Sequence, residues 1–289
     1  MLFFAACQED AKKDGPKDTI SSGEINISVD ETYTPVIKEQ IKVFDSSYPE
    51  ATINASYKPE AECINDFLTG NARLILVTRD LTDQEKQSLE SQKVISTSMA
   101  VAKDAVAVIL NKNADDSVLS ISALQGILTG QYKKDYTVVF DGQGSSTLRF
   151  MLDSIIPGEK LGKNVFATNS NDSVIQYVAN NPNAIGFVGV SHVSDFDDPA
   201  GLAFINSIKV ASIYNDSLEK AYQPYQAFIA PEWYPLTRKL YYIHKETYYG
   251  LATGFSKFLR EQRGQLIFKQ SRLFPNKVNV IFREAQLND

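Results

Sequence analysis

The feature that most constrains the fold is the order strand, polar loop, amphipathic helix, which recurs along the chain. In the segment "EINISVD" apolar and polar residues alternate, and in "TPVIKEQIKVF" Ile37, Ile41 and Phe44 share one helical face. The same order returns in "ATINASY" and "ECINDFLTG", and "ARLILVT" precedes a helix that Thr82 and Glu85 open with a capping box. This alternation is typical of β-α-β units and predicts an α/β fold.

The pattern begins again after the strand "KDAVAVILNKN", with further helices and strands up to "AIGFVGV". The strand "LYYIHK" and one long helix, "GLATGFSKFLREQRGQLIF", end the chain and are predicted to return to the first unit. We therefore predict two lobes, each a mixed and mostly parallel sheet flanked by helices, with a hinge and a cleft between them. Lobe 1 is predicted to comprise residues 24–112 plus 234–289, and lobe 2 residues 113–233.

Charge and hydropathy exclude several classes of function. The chain has 29 basic and 35 acidic residues, a net charge of -6 and no dense Lys/Arg run, which argues against a nucleic-acid or anionic-membrane surface. No segment reaches the roughly 18 apolar residues that span a bilayer. With 43% hydrophobic residues, the composition is that of an ordinary globular protein.

The N-terminus "MLFFAACQED" is apolar, passes through Ala5 and Ala6 to Cys7, and then becomes polar. Small residues before a cysteine are typical of a lipoprotein signal, so residues 1–23 are predicted to be a signal remnant, a lipidated Cys7 and a tether. This places the protein in the periplasm or at the cell surface, anchored to a bacterial membrane. The alternative is an arbitrary hydrophobic start. Cys63, the other cysteine, is predicted to be a small buried residue.

Polar side chains follow several predicted strands at the point where each strand ends. In open α/β sheets, ligands bind outside the carboxyl ends of the strands, so these loops are expected to form one binding site in the cleft. The loop in "FDGQGSSTLRF" combines glycines with hydroxyl residues at a helix start, which suits an anion, although an ordinary strand-to-helix connection is the alternative. The predicted ligand-binding residues are Asp30, Thr32, Tyr33, Thr78, Arg79, Asp141, Ser145, Ser146, Thr147 and Arg149.

Enzymatic readings have less support in the sequence. His192 and His244 are the only histidines, and no His/Cys cluster has the spacing of metal ligands. The loop that begins at Gly142 lacks the third glycine of a dinucleotide-binding loop. We therefore predict a binding protein without metal or cofactor rather than an enzyme.

An ordered series of segments resembles the phosphate-type periplasmic substrate-binding proteins of ABC transporters, which have the type II periplasmic binding protein fold. The segments are "VDETYTPVI", "VTRDLTDQE", "KDAVAVILNKN", "ISALQGILTGQY", "FDGQGSSTLRF", "NPNAIGFVGV" and "YPLTRKLYYI". The resemblance implies a solute-binding lipoprotein that captures an inorganic oxyanion, most of all phosphate, as a monomer that delivers it to an ABC permease. It also implies donors from Thr32, Tyr33 and the run Ser145 to Thr147.

The sequence departs from the family pattern at charged positions. Asp141 stands where well-studied members open the second-lobe loop with an arginine, and Arg79 stands where they carry an aspartate after the third strand. Glu60 and Glu62 replace a Gly-Ser-Gly loop. Another oxyanion or small polar solute, a hydrolase, and a non-transport surface module on the same fold remain the alternatives.

Two kinds of side chain carry the predicted recognition. Arg79 can offer a bidentate fork to an oxyanion, or instead pair with Asp80 or Asp83, and Arg149 can do the same or pair with Asp153. Asp30 or Asp141 can accept the proton of monohydrogen phosphate, which sulfate lacks at neutral pH. Both aspartates are equally natural as helix caps or turn residues.

Overall fold

The computed structural model describes residues 18–193 and 206–277. Its first part contains β1 Gly23–Asp30, α1 Thr34–Ser47, β2 Ala51–Lys58, α2 Glu60–Thr69, β3 Leu74–Val77, α3 Asp83–Ser91 and β4 Thr97–Asn111. A 3-10 turn, Glu31–Tyr33, joins β1 to α1. Helix α3 begins at the predicted capping box, in which Thr82 and Glu85 exchange hydrogen bonds.

The second part repeats the alternation of strand and helix. Its elements are β5 Val118–Leu119, α4 Ile121–Thr129, β6 Thr137–Phe140, α5 Ser146–Ser154, β7 Val165–Ala167, α6 Asn171–Asn180, β8 Ala184–Gly189, β9 Ile208–Val210, β10 Ser212–Asn215, β11 Lys220–Tyr222 and α7 Gln226–Ile229. The chain then returns through β12 Thr237–His244, α8 Leu251–Arg260, α9 Gln262–Gln270 and β13 Phe274–Pro275. A 3-10 turn, Val190–Val193, follows β8.

The described strands form one large mixed sheet and one small sheet. The large sheet has the order β2-β1-β3-β12-β4-β8-β6-β7, with β13 and β9 also pairing with β4. Strand β1 is parallel to β2 and β3, and β6 is parallel to β7 and β8, whereas β12 and β4 run antiparallel to their neighbours. The predicted α/β class, with mixed sheets flanked by helices, is confirmed.

Strand β4 connects the two parts of the large sheet. It pairs with β12 from Thr97 to Ala105 and with β8 from Val106 to Leu110. The strand is longer than the predicted segment "KDAVAVILNKN" and is shared by both parts. The predicted return of the chain to the first part is confirmed, because β12 pairs with β3 and β4. The lobe boundaries given above stay a prediction.

The prediction of one long terminal helix is wrong, because the helix is broken at Glu261. This residue has extended backbone angles, φ -85 and ψ 169, and separates α8 from α9. The chain turns so tightly that a Cβ at Gly264 would lie 2.4 Å from the carbonyl oxygen of Phe258. Gln265 stabilises the turn by donating a hydrogen bond of 2.7 Å to the carbonyl of Leu259.

The end of the N-terminal segment is fixed to the first part of the fold. The carboxylate of Asp18 accepts hydrogen bonds from Arg73 at 3.0 and 2.8 Å and from the Leu251 amide at 2.7 Å. The backbone of Ile20 lies so close to α8 that a Cβ at Gly254 would be 1.9 Å from its carbonyl oxygen. Arg73 immediately precedes β3, so this attachment lies at the edge of the sheet opposite the carboxyl end of that strand.

Other expectations concern burial and the membrane. Cys63 is fully buried, as predicted, and burial raises the pKa of its thiol well above the usual value. Cys7 lies outside the described residues. Within 18–193 and 206–277, no helix has the length and apolar character needed to cross a bilayer.

Candidate functional site

The loop after β1 supplies the first side of the candidate site. Asp30 is fully buried, and its Oδ1 accepts a hydrogen bond of 3.0 Å from the amide of Thr32, which fixes the 3-10 turn. Tyr33 is also fully buried. The connection from β1 to α1 therefore brings the Asp30 carboxylate and the Tyr33 hydroxyl to the carboxyl end of β1.

The loop after β6 supplies the opposite side. Ser145 caps α5 by accepting a hydrogen bond of 3.2 Å from the amide of Leu148. Asp141 is 1% exposed, and its Oδ2 accepts a hydrogen bond of 3.0 Å from Asn171. Thr147, in the first turn of α5, is fully buried. The loop therefore combines an ordinary helix cap with polar groups that the cap does not use.

These two loops are in contact. The hydroxyls of Thr32 and Ser146 lie 3.4 Å apart. The turn after β8 also contacts the first loop, because Nε2 of His192 lies 2.9 Å from the Thr32 carbonyl oxygen. At Gly189, a Cβ would lie 2.3 Å from the Cγ2 of Thr32, so only glycine permits this approach. The structure thus brings together the predicted residues at the carboxyl ends of β1 and β6.

A buried ion pair that the sequence analysis missed lies beside these loops. Arg238 on β12 stands opposite Asp104 on β4 in the strand register. Its Nε donates to Asp104 Oδ2 at 2.7 Å, its Nη1 donates to Ser146 Oγ at 3.1 Å, and the Tyr33 hydroxyl donates to the same Asp104 oxygen at 2.9 Å. The signal in the sequence is a pair of adjacent charged residues within each of two largely apolar strands, Lys103 with Asp104 in β4 and Arg238 with Lys239 in β12.

Several buried atoms of Arg238, of its partner Asp104 and of the two contacting loops have no hydrogen-bond partner within the described residues. They are the donors Arg238 Nη2 and Thr147 Oγ1 and the acceptors Asp30 Oδ2, Asp104 Oδ1 and Asp141 Oδ1. A buried polar atom without a partner costs about 1–3 kcal/mol, so such a group is unfavourable unless something else pairs with it. The donor set suits an oxyanion, and the carboxylates suit a ligand that also carries hydroxyl protons.

The predicted residues Thr78 and Arg149 instead face a carboxylate of the protein itself. Glu60, 1% exposed at the start of α2, accepts hydrogen bonds from the amide and the hydroxyl of Thr78, both at 2.7 Å. Nε of Arg149 donates to the other Glu60 oxygen at 2.5 Å, and its Nη2 donates to the Thr78 hydroxyl at 2.6 Å. Glu60 therefore accepts the hydrogen bonds of Thr78 and Arg149 that the sequence predicts for a ligand.

Arg79 also has an internal partner. Its guanidinium forms a bidentate pair with Glu85, with N–O distances of 2.7 and 2.8 Å, and donates to the carbonyl of Asp80 at 2.9 Å. The sequence predicts Asp80 or Asp83 as the alternative carboxylate partner, but the capping-box residue Glu85 takes that place. The Arg79 guanidinium therefore points toward α3. Arg238, in contrast, has an unpaired donor of its own among the buried atoms of the site.

Burial and like charges raise the pKa of the acidic groups at the site. Burial, followed by the charge of Glu60, raises the pKa of Asp30 to about 7, although Arg238 opposes the shift. Burial, followed by the charge of Asp141, raises the pKa of the half-buried Glu31 to about 7. Burial also raises the pKa of Asp141 and lowers that of His192. Burial and like charges therefore make the ionised forms of these acids less favourable than in water.

A cleft of about 360 Å³ opens at the edge of the contacting loops. Glu31 and Lys38 line it on one side, and Asn171 and His192 line it on the other. Asn171 connects the cleft to the site, because its side-chain amide donates a hydrogen bond to Asp141. Among the residues that the structure describes, no group of three or more His, Cys, Asp or Glu side chains could hold a metal ion.

Comparisons with known proteins agree with this architecture. A family model described as a PBP superfamily domain matches residues 15–262. The phosphate-binding protein PstS of Staphylococcus haemolyticus is 23% identical over 251 residues, which cover 81% of this chain and 75% of that protein. PstS of Staphylococcus aureus strain USA300 is 22% identical over 281 residues, covering 91% of this chain and 81% of its own.

Solved structures show the same fold. A Clostridium perfringens protein, assigned as a phosphate ABC transporter substrate-binding protein and solved with bound phosphate, has a TM-score of 0.74 at 20% identity and covers 88% of this chain and 100% of its own. A phosphate transport receptor of the ABC type from Vibrio cholerae has a TM-score of 0.68 at 19% identity, with coverage of 88% and 100%. The predicted type II periplasmic binding protein fold is confirmed.

Proposed function

Because this chain belongs to the PBP superfamily domain family, we propose that it is the phosphate-binding component of an ABC transporter. The observation that carries the proposal is the set of buried, unpaired donors and acceptors around Arg238. The names of the relatives and structural neighbours support phosphate as the ligand and an ABC permease as the partner. The protein binds and releases its ligand without catalysis.

We assign the recognition of phosphate to Arg238 on β12 and to residues of the two contacting loops. Nη2 of Arg238 and Oγ1 of Thr147 donate hydrogen bonds to phosphate oxygens, and a charge-assisted bond from a guanidinium is about twice as strong as a neutral one. Asp30 Oδ2 accepts a hydrogen bond from a protonated phosphate oxygen. Sulfate carries no proton at neutral pH and would face this carboxylate with a bare oxygen, so the site rejects it.

Replacing Thr147 with valine tests this assignment. The side chain keeps its shape but loses a hydroxyl that has no partner within the described residues. We expect phosphate affinity, measured by calorimetry, to fall roughly ten- to a hundredfold, because a hydrogen bond to a charged ligand is worth about 1.5–3 kcal/mol. The melting temperature of the unliganded protein is expected to stay nearly constant.

Ser145→Ala is the matched control for Thr147→Val. Ser145 caps α5, so its loss should lower stability by about 1 kcal/mol while phosphate affinity changes little. A Thr147→Val protein that binds phosphate as tightly as the wild type would remove Thr147 from the site. Phosphate that raises the melting temperature of neither protein would contradict the proposed function itself.

We further propose that Cys7 carries a lipid anchor outside the cytoplasmic membrane. The support is the sequence around Cys7 and the attachment of Asp18 to Arg73, which precedes β3 and so lies at the end of that strand opposite the polar loops. Cys7→Ser should release the protein from the membrane fraction, whereas Cys63→Ala should not. Immunoblots of fractionated cells measure this, and membrane-bound Cys7→Ser protein would contradict the anchor.

A further inference from the structure

Besides Asp104, whose Oδ2 is paired with Arg238, two carboxylates on the contacting loops have an unpaired oxygen within the described residues. Asp30 Oδ2 comes from the loop after β1, and Asp141 Oδ1 comes from the loop after β6. The other oxygen of each is held by the protein: Asp30 Oδ1 accepts from the Thr32 amide, and Asp141 Oδ2 accepts from Asn171. The hydroxyls of Ser146 and Ser145 also act on Asp30 and Asp141, respectively, but the second oxygen of each carboxylate has no hydrogen bond of good geometry within the described residues.

The unpaired donors show that these carboxylates belong to a ligand site and are not merely an acidic cluster. Arg238 is 5% exposed and Thr147 is fully buried, and each keeps one donor without a partner in the described part of the chain. Arg238 acts electrostatically on both Asp30 and Asp141. The ligand that satisfies these groups must therefore accept hydrogen bonds from two donors and donate hydrogen bonds to two carboxylates.

The charge of the site disfavours a dianion. The charge of Arg238 is already matched by Asp104, at 2.7 Å, and Arg238 is the only buried lysine or arginine in the described part of the chain, so no second cation balances Asp30 and Asp141 there. A buried ion without a compensating charge is strongly unfavourable, and the site lowers this cost by holding protons. Monohydrogen phosphate, with one proton and two negative charges, could pair with only one of the two carboxylates.

We propose that the site binds phosphate in its dihydrogen form, with one proton shared with Asp30 and the other with Asp141. This inference rests on the proposed function and adds the protonation state of the ligand. Four hydrogen bonds then join ligand and protein. Two phosphate hydroxyls donate to the two carboxylates, and the two other phosphate oxygens accept from Arg238 Nη2 and Thr147 Oγ1. Which oxygen of each pair holds the proton does not change the total number of protons bound.

Other charged and titratable groups near the two carboxylates are compatible with this proton count. The groups that act on Asp30 are Glu31, Tyr33, Glu60, Cys63 and Arg238, and those that act on Asp141 are Glu31, His192 and Arg238. Burial lowers the pKa of His192, so this side chain stays neutral and adds no positive charge. Glu60 is paired with Arg149. Proton uptake is therefore expected to depend on Asp30 and Asp141.

Proton uptake can be measured directly by calorimetry in buffers that differ in ionisation enthalpy. At about pH 8, free phosphate is mostly monohydrogen phosphate, so binding of the dihydrogen form must take up about one proton per phosphate. The dissociation constant should then rise about tenfold per pH unit above neutral pH. Sulfate, measured in the same buffers, should give no binding heat.

Asp141→Asn separates this inference from a general effect of pH. The asparagine amide can donate to an unprotonated phosphate oxygen, so proton uptake should fall toward zero and the dependence of affinity on pH should flatten. Asp172→Asn is the control, because the Asp172 side chain is 82% exposed and is not among the charges that act on Asp30 or Asp141. It should keep the wild-type proton uptake.

The possible results are distinct. Tight phosphate binding by the wild type with no proton uptake, and equal affinity at about pH 6 and about pH 8, would overturn the dihydrogen assignment and leave the proposed function intact. No phosphate binding at either pH would overturn both. Because the wild-type measurement needs no substitution, the test does not depend on the folding of a variant.

Discussion

Asp104→Asn is expected to lower the free energy of unfolding by about 3 kcal/mol or more, the typical cost of leaving a buried charge without its partner. The Asp104 and Arg238 side chains are 0% and 2% exposed, and asparagine keeps the size of the side chain while removing its charge. Urea unfolding measures the change. The Tyr33 hydroxyl would also lose its charged acceptor, which adds to the cost.

Two further variants identify the cause of this destabilisation. Tyr33→Phe removes only the hydroxyl hydrogen bond and should cost about 1 kcal/mol. The double variant Asp104→Leu with Arg238→Met removes both charges and should be more stable than Asp104→Asn, because no unpaired ion remains. If Asp104→Asn unfolds at the same urea concentration as the wild type, the ion pair contributes nothing to stability.

Arg149→Met is expected to shift the protein toward an open form. The contact of Arg149 with Glu60 and Thr78 joins α5 to α2 and to the end of β3, which belong to different predicted lobes. Losing a hydrogen bond between charged groups costs about 1.5–3 kcal/mol, which changes the ratio of closed to open molecules roughly ten- to a hundredfold. In the absence of phosphate, small-angle scattering should therefore show a larger radius of gyration for Arg149→Met than for the wild type.

The control for Arg149→Met is Asp153→Asn. Arg149 also pairs with Asp153 at 3.0 Å, but this contact lies within α5 and is exposed. Its loss should leave both the radius of gyration and the phosphate affinity unchanged. Phosphate should compact the Arg149→Met protein again at higher concentration. An Arg149→Met protein with wild-type dimensions and affinity would show that the contact does not hold the lobes together.

Local patterns predicted the parts of the site that depend on neighbouring residues. The capping box at Thr82 and the helix start at Ser145 follow from side chains that reach amides three residues away. The positions of Asp30 and Asp141 at strand ends follow from the alternation of strand and helix. These features need no knowledge of how distant segments pair.

The arginine of the site could not be identified in this way. Arg238 meets Asp104, which is 134 residues distant in sequence, only because β12 and β4 pair in one particular register. Arg79 and Arg149 were more visible because they adjoin the polar loops, yet both are paired with glutamates. Choosing among three arginines requires the tertiary partners of each, since an ion pair within the protein and a ligand contact use the same chemistry.

The change of partner along β4 has a mechanical consequence. The strand exchanges β12 for β8 between Ala105 and Val106, immediately beside the Asp104–Arg238 pair. If the lobes rotate about this point, a ligand bound to Arg238 lies near the rotation axis and moves little. The contact between Glu60 on α2 and Arg149 on α5 is made away from this strand and separates. The arginine could then hold phosphate in the open form, so that capture and closure become successive events with separate rates.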